Sequence, residues 1–310
     1  MDITKTIRIG TRGSKLALWQ ADYVATLLQQ WHIKTEIVII ETKGDKILDQ
    51  TLAKIGSKGL FTEEIEEQLR IGEIDMAVHS AKDLQASLPD DLEILAFTER
   101  EKANDVLVSY DSNFDLSRQN IVIGTSSTRR IAMLKAYYPH VKIVDMRGNL
   151  QTRMQKLKEG ACDALILAYA GAARMGYQQY IVQHLPINTF TPAVGQGSIA
   201  VQVRKGIDSN THSRLHNILS DTTAEVCLTA ERMFLKKING GCSVPVFGYA
   251  FNHNGKVLLN AGIISLDGKQ IIRQTACFHQ LSCQEYTTEL AEKILQNGGA
   301  AILESIKQQR

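Results

Sequence analysis

The chain has 310 residues, with 35 lysines and arginines against 33 aspartates and glutamates and a net charge of +2. A balance of this kind gives no case for nucleic-acid binding by bulk attraction. With 44% hydrophobic and 22% charged residues and no low-complexity tract, the composition is that of a globular protein with room for two or three domains, and it excludes a disordered chain.

The opening stretch MDITKTIRIGTRGS has no apolar signal core, and no later run reaches the length of a membrane span. Five cysteines, Cys162, Cys227, Cys242, Cys277 and Cys283, are scattered without a CxxC pair or close histidine partners. Neither a disulfide framework nor a metal site is expected, and the expected compartment is the reducing cytoplasm, with no membrane partner.

Over the first hundred residues short apolar runs alternate with amphipathic ones: TIRIG, SKLALWQADYVATLLQQW, EIVII, FTEEIEEQLR, IDMAVHS and LEILAF. This is the rhythm of a strand–helix α/β domain. In the first helix Leu16, Trp19, Tyr23, Leu27 and Trp31 follow helical spacing and are expected to form its core face. A second α/β series begins near Asp105 with DVLVSY, IVIG, SSTRRIAMLKAYY, VKIVDM, LQTRMQKLKEG and DALILA. The last ninety residues change character. A helix TAEVCLTAERMFLKKI precedes strands joined by turns at Asn254-Gly255 and Asp267-Gly268, then a closing helix ending near Ile306, which predicts a small α+β domain with an antiparallel sheet.

Two strand-to-helix turns resemble each other, IGTRGSKLALW at 9–19 and IGTSSTRRIAML at 123–134. A helix N-terminus offers unpaired amide donors and the positive end of a dipole, so each turn suits an anion. Ser126 or Ser127 as a plain N-cap accounts for the hydroxyls. It leaves Arg129 and Arg130 unexplained, because cations in a first turn oppose the dipole unless an anion lies nearby. VHSAKDLQ at 78–85 places Lys82 and Asp83 at the carboxyl end of a strand, where α/β sheets bind ligands, although a solvated loop pair reads the same way. Arg147 and Arg153 follow another strand in MRGNLQTRMQKL, and Gly195 and Gly197 flank Gln196 in TPAVGQGSIAVQV as in a hinge. In NGGCSVPVFG, paired glycines and a proline bracket Cys242; either a presented thiol or a turn into a strand fits that pattern. No GxxxxGK[ST] loop is present, and several arginines point to an organic polycarboxylate.

Taken in order, GTRGSKLALWQ, AKIGSKGLF, HSAKD, GTSSTRR, RGNLQTR, TPAVGQG and GGCSVP resemble the hydroxymethylbilane synthase (porphobilinogen deaminase) family over residues 7–248. The resemblance implies two periplasmic-binding-protein-like (type II) α/β lobes around a cleft and a small C-terminal α+β domain. It implies domain 1 at 1–99 and 199–218, domain 2 at 104–194 and domain 3 at 220–310. The implied activity is a transferase of tetrapyrrole and haem biosynthesis: four porphobilinogen units are condensed stepwise, with loss of ammonia, onto a dipyrromethane cofactor, and hydrolysis releases linear hydroxymethylbilane.

By the same resemblance Cys242 anchors the dipyrromethane through a thioether, and Asp83 is the catalytic carboxylate and also a cofactor contact. Lys82, Thr125, Ser127, Arg129 and Arg130 are implied to bind the cofactor, and Arg12, Ser14, Arg147, Arg153, Arg174 and Gln196 the substrate or growing chain. Lys54, Lys58 and Phe61 fall in the family's mobile loop over the cleft. The expected partner is porphobilinogen alone, bound by a monomer. Ala81, Gln85 and Thr128 depart from the residues usual at those positions, which bears on the stiffness of the catalytic loop and local packing. A non-catalytic two-lobed anion- or solute-binding module is the alternative; it accounts for the anion turns and hinge but requires neither Asp83 nor Cys242.

Overall fold

A computed structural model describes residues 5–46, 62–241 and 244–308. Three sheets organise them. The first contains β1 (Ile7–Thr11), β2 (Thr35–Ile39), β3 (Met76–Ser80), β4 (Leu92–Phe97) and β10 (Ile199–Arg204), in the order β2-β1-β3-β10-β4. The second contains β5 (Asp105–Val108), β6 (Val122–Gly124), β7 (Lys142–Val144), β8 (Ala164–Ala168) and β9 (Ile181–His184), in the order β7-β6-β8-β5-β9.

The two orders are one topology. In each lobe three parallel strands are followed by an antiparallel one that has crossed from the other lobe: β10 pairs antiparallel with β3 and β4, and β5 with β8 and β9. The chain therefore crosses between lobes twice, before Asp105 and before Ile199. This is the type II periplasmic-binding-protein arrangement that the resemblance implies, and it sets the carboxyl ends of β1, β3 and β6 around one cleft. The third sheet, β11 (Val246–His253), β12 (Lys256–Ile264) and β13 (Ile271–Phe278), is an antiparallel meander. Its first turn has Asn254 and Gly255 at φ 52° and 76°, the left-handed pair that a two-residue hairpin needs.

Each sheet is covered by amphipathic helices. The helix α1 (Lys15–Gln29) lies on the first sheet and is capped by Ser14, whose Oγ accepts from the Ala17 amide. Its buried face is Gln20, Ala21, Val24, Ala25 and Leu28 rather than the expected aromatic stripe. Trp19, Tyr23 and Leu27 lie along the flank and Trp31 is 58% exposed beyond the helix end. The alanines explain the offset: small side chains let the helix lie close on the sheet, which rotates the larger rings to its edge.

Beyond the second crossover, α8 (Thr222–Lys237) packs on the meander. Phe247 and Ile264 of that sheet enter the core of the second lobe beside Ile123, Ile166 and Phe190. The expected closing helix is two, Cys283–Ile294 and Ala300–Gln308, separated by a kink where Gly298 takes φ 112°.

Candidate active site

At the end of β3 a single 3-10 turn, Ala81–Asp83, carries Lys82 and Asp83. Its position is fixed from three sides. The Ala81 amide donates to the Ser198 carbonyl at 3.0 Å. Gln20 holds the neighbouring Ser80 hydroxyl at 2.9 Å. Gly195, at φ +80°, packs so closely that a Cβ there would lie 2.8 Å from the Lys82 nitrogen. The glycine is thus needed for close approach and a left-handed backbone, not for looseness. Burial pulls the Lys82 ammonium down to about 8, with Asp83 and Asp105 favouring its charge and Arg130 and Arg129 opposing it.

Across the cleft, α4 (Thr128–Tyr137) begins at the end of β6 with Ser127 as its N-cap. Arg129 and Arg130 are 4% and 6% exposed and share one carboxylate, that of Asp105 at the head of β5. Arg129 Nη2 donates to Oδ2 at 2.7 Å and Arg130 Nη2 to Oδ1 at 2.8 Å. Gln196 Nε2, buried in the second crossover, donates to Oδ1 at 2.9 Å and to the Ala103 carbonyl at 2.6 Å. Burial opposes ionisation of Asp105, but the two guanidinium groups and Gln196 outweigh it and hold the carboxyl far below its ordinary range. The anion that the first-turn arginines require is therefore supplied partly by the protein itself.

Arg12 and Ser14 at the start of α1, with Gln20, Thr62, Ser80 and Asp83, line a small cavity of about 70 Å³ at the carboxyl end of the first sheet. His79 borders it as a neutral imidazole: burial takes it down to about 4, and its Nε2 is bonded to Gln202 at 3.1 Å. From the second lobe, Arg153 on α5 (Leu150–Lys158) is lowered to about 10 by burial and by Arg130, against the pull of Asp83, so these three charges share one field. Its Nε donates to the Gly148 carbonyl at 2.8 Å, and the nearby Arg147 pairs with Asp145. Arg174 bridges the lobes, with Nη2 on the Gly197 carbonyl at 2.8 Å and its guanidinium 5.3 Å from the Trp19 ring centroid. A larger cavity, about 340 Å³ beside Asp111, Arg118 and Asp163, lies apart from these groups.

Residues 7–212 match the family model of the porphobilinogen deaminase dipyromethane cofactor binding domain, and residues 225–296 that of the porphobilinogen deaminase C-terminal domain. The chain belongs to the porphobilinogen deaminase family. Its relatives in that family include the porphobilinogen deaminase of Cytophaga hutchinsonii, 52% identical across 98% of both chains. That of Desulfosudis oleivorans is 47% identical across 98% of this chain and 99% of its own length. Among solved structures, the periplasmic VFT2 domain of Bordetella pertussis BvgS covers 73% of this chain and 92% of its own at 16% identity and a TM-score of 0.42.

A cofactor that carries several carboxylates fits the donors present. Arg129 Nε and Arg130 Nε are buried without a hydrogen-bond partner, as is Gln196 Oε1, and a buried unpaired N–H is costly unless something completes it. Thr125 is buried as well, and its Oγ1 accepts from the Ser127 amide at 3.3 Å. The Ser127 hydroxyl accepts from the Arg130 amide at 3.5 Å, so capping and any ligand contact share one oxygen. Cys242, Lys54, Lys58 and Phe61 lie outside the described residues. Before Cys242, α8 ends where Asn239 takes φ 52° and the Gly240 amide donates to the Leu235 carbonyl at 3.0 Å.

Sequence reasoning passed over Asp105 and the buried pair Arg100–Glu231. An aspartate opening an otherwise apolar strand was the available signal, because a buried carboxylate needs a partner. Among the described residues no cluster of three or more His, Cys, Asp or Glu could hold a metal.

Proposed function

We infer that this chain is a hydroxymethylbilane synthase, joining four porphobilinogen units head to tail with loss of ammonia and releasing a linear bilane by hydrolysis. The observation that carries the reading is the meeting, in one cleft of a chain of this family, of a carboxylate at Asp83 with a desolvated cationic set at Lys82, Arg129, Arg130 and Arg153. The cofactor, when bound, supplies the pyrrole carbon to which the first unit is joined.

The residue roles are proposals. Cys242, as thiolate, anchors the dipyrromethane by a thioether. Lys82, Arg129 and Arg130, together with Thr125 and Ser127, hold the cofactor's acetate and propionate groups, where charge-assisted bonds are worth about 1.5–3 kcal/mol each. Arg12, Ser14, Arg147, Arg153 and Arg174 orient the carboxylates of the incoming unit and growing chain. The buried Gln196, whose Oε1 is without a partner, can accept there only from an N–H of the substrate or growing chain. Asp83 accepts pyrrole N–H bonds and faces the positive charge left on the substrate ring as ammonia departs. A carboxylate about 4 Å away stabilises such a charge by about 4 kcal/mol at an effective dielectric near 20. For Lys54, Lys58 and Phe61, outside the described residues, the loop role that the family resemblance implies is kept as a proposal.

We further propose the division into 1–99 with 199–218, 104–194 and 220–310, and a cytoplasmic monomer with porphobilinogen as its small-molecule partner. Among the described residues no helix is long and apolar enough to cross a membrane.

Incubation of the purified protein with porphobilinogen, read by ammonia release and intact mass, tests the reading. Four ammonia per bilane and a protein mass raised by one dipyrromethane are expected. Binding of porphobilinogen without ammonia release or adduct would instead favour the non-catalytic module.

A further inference from the structure

Asp105 takes no part in the substrate contacts or proton transfers proposed above, yet it is wholly buried and accepts from Arg129, Arg130 and Gln196 at once. Each arginine is also tied at its other terminal nitrogen: Arg129 Nη1 donates to the Thr191 carbonyl at 2.8 Å, and Arg130 Nη1 to that of Ile166 at 2.9 Å. With both terminal nitrogens held, the guanidinium planes cannot turn. What remains is Nε–H on each, and neither has a partner.

We propose that Asp105 is a positioning residue for cofactor capture: through Arg129 and Arg130 it fixes the two guanidinium groups in the arrangement in which the pair captures carboxylates of the dipyrromethane. This rests on reading the cleft as a dipyrromethane site. Asp105 touches neither cofactor nor substrate. Because it sits at the head of β5 and also holds Gln196, one carboxylate ties the arginine pair to both crossovers between the lobes.

Charge and position predict opposite signs. Asp105→Asn removes a negative charge from beside an anion site, so Coulomb attraction alone would strengthen capture of a carboxylate ligand. Positioning predicts the reverse, since an amide cannot accept from both guanidinium groups and Gln196 in the same geometry and the arginines are freed to turn.

The test is the fraction of protein carrying the adduct by intact mass, as purified and after timed incubation with porphobilinogen. Asp105→Asn is expected to load at least about tenfold more slowly, the effect of one lost charge-assisted bond. Turnover per loaded molecule should stay within about threefold of the parent, a split that a transition-state role would not give. Ile123→Val, in the core of the same lobe, controls for stability and should load like the parent despite a lowered melting temperature. Loading of Asp105→Asn equal to or faster than the parent would overturn the proposal.

Should Asp105→Asn fail to fold, Asp105→Glu decides, because it keeps the charge and displaces it: slowed loading supports positioning, and parental loading overturns it. Failure of both variants to fold would make Asp105 a determinant of the fold and also overturn it. A parent protein that never acquires the adduct would overturn the cofactor reading, and this proposal with it.

Discussion

Arg100 and Glu231 join the crossover between the lobes to the helix that leads toward Cys242. Arg100 Nη1 donates to Glu231 Oε1 at 2.5 Å and Nη2 to Oε2 at 3.2 Å, while Arg100 Nε donates to the Gln196 carbonyl at 2.9 Å. Glu231, wholly buried, also accepts from the amides of Gly195 at 2.8 Å and Ala250 at 2.7 Å. One carboxylate thus gathers the first crossover, the second crossover and the C-terminal sheet.

Breaking a buried pair on one side leaves the other charge uncompensated, which costs about 3–5 kcal/mol. Glu231→Gln is therefore expected to lower the melting temperature by on the order of 10 °C, taking roughly 2–4 °C per kcal/mol for a chain of this size class. Calorimetry checks this. A shift of only a degree or two would mean that the pair is poorly desolvated and that backbone contacts join the three sheets instead.

Gly195 couples the same junction to the catalytic turn. A methyl group there meets the backbone of Ala81 and Lys82 at 2.8 Å, and φ +80° disfavours any L side chain. Gly195→Ala should displace the Lys82–Asp83 turn, so turnover is expected to fall by about tenfold or more for a strain of roughly 1–3 kcal/mol. Steady-state kinetics beside a thermal melt separates the two effects. Unaltered kcat with a lowered melting temperature would show that the strain is absorbed in the crossover.

Lys82 gives a pH dependence with a definite sign. Its ammonium releases a proton at about 8 in the folded protein against 10.5 ordinarily, so between those values the unfolded chain binds more protons. This group's contribution to apoprotein stability therefore rises with pH across that window, as the cost of a desolvated charge is relieved. Anion capture runs the other way, because the neutral amine no longer attracts a carboxylate. Loading of apoprotein is expected to decline above about pH 8 and to persist to higher pH in Lys82→Arg, whose guanidinium stays charged. Superimposable profiles for the two proteins would remove Lys82 from the anion site.

Much of this architecture was legible because periodicity and turn chemistry are local. Strands such as IDMAVHS and DALILA and the hairpin at Asn254-Gly255 stand where their residues predict. What was not legible depends on pairing across the chain. Nothing near Arg129 announces that its anion is Asp105, 24 residues earlier, and nothing near Glu231 points to Arg100, 131 residues away. The buried face of α1 departs from the aromatic stripe because Ala21 and Ala25, rather than the largest side chains, decide which side meets the sheet. Gln196 reads in sequence as a ligand contact, and pairing across the chain adds a second role: its side chain is 1% exposed and its Nε2 is bonded within the crossover.

Asp83 offers the clearest separation of binding from chemistry. It stands half-buried in the cavity with Arg12 and Ser80, and its charge is felt by both Lys82 and Arg153. If it stabilises charge that develops only as ammonia leaves, then Asp83→Asn, nearly equal in size, should keep the covalent adduct and lose transition-state stabilisation. Turnover is expected to fall by at least about two orders of magnitude, which corresponds to roughly 3 kcal/mol, with elongation visible by intact mass as slow steps of one pyrrole unit. Turnover within a few-fold of the parent would mean that another group carries the role. Asp105 could not inherit it, because that carboxylate is wholly buried and already accepts from three side chains, whereas the Asp83 carboxyl borders the cavity.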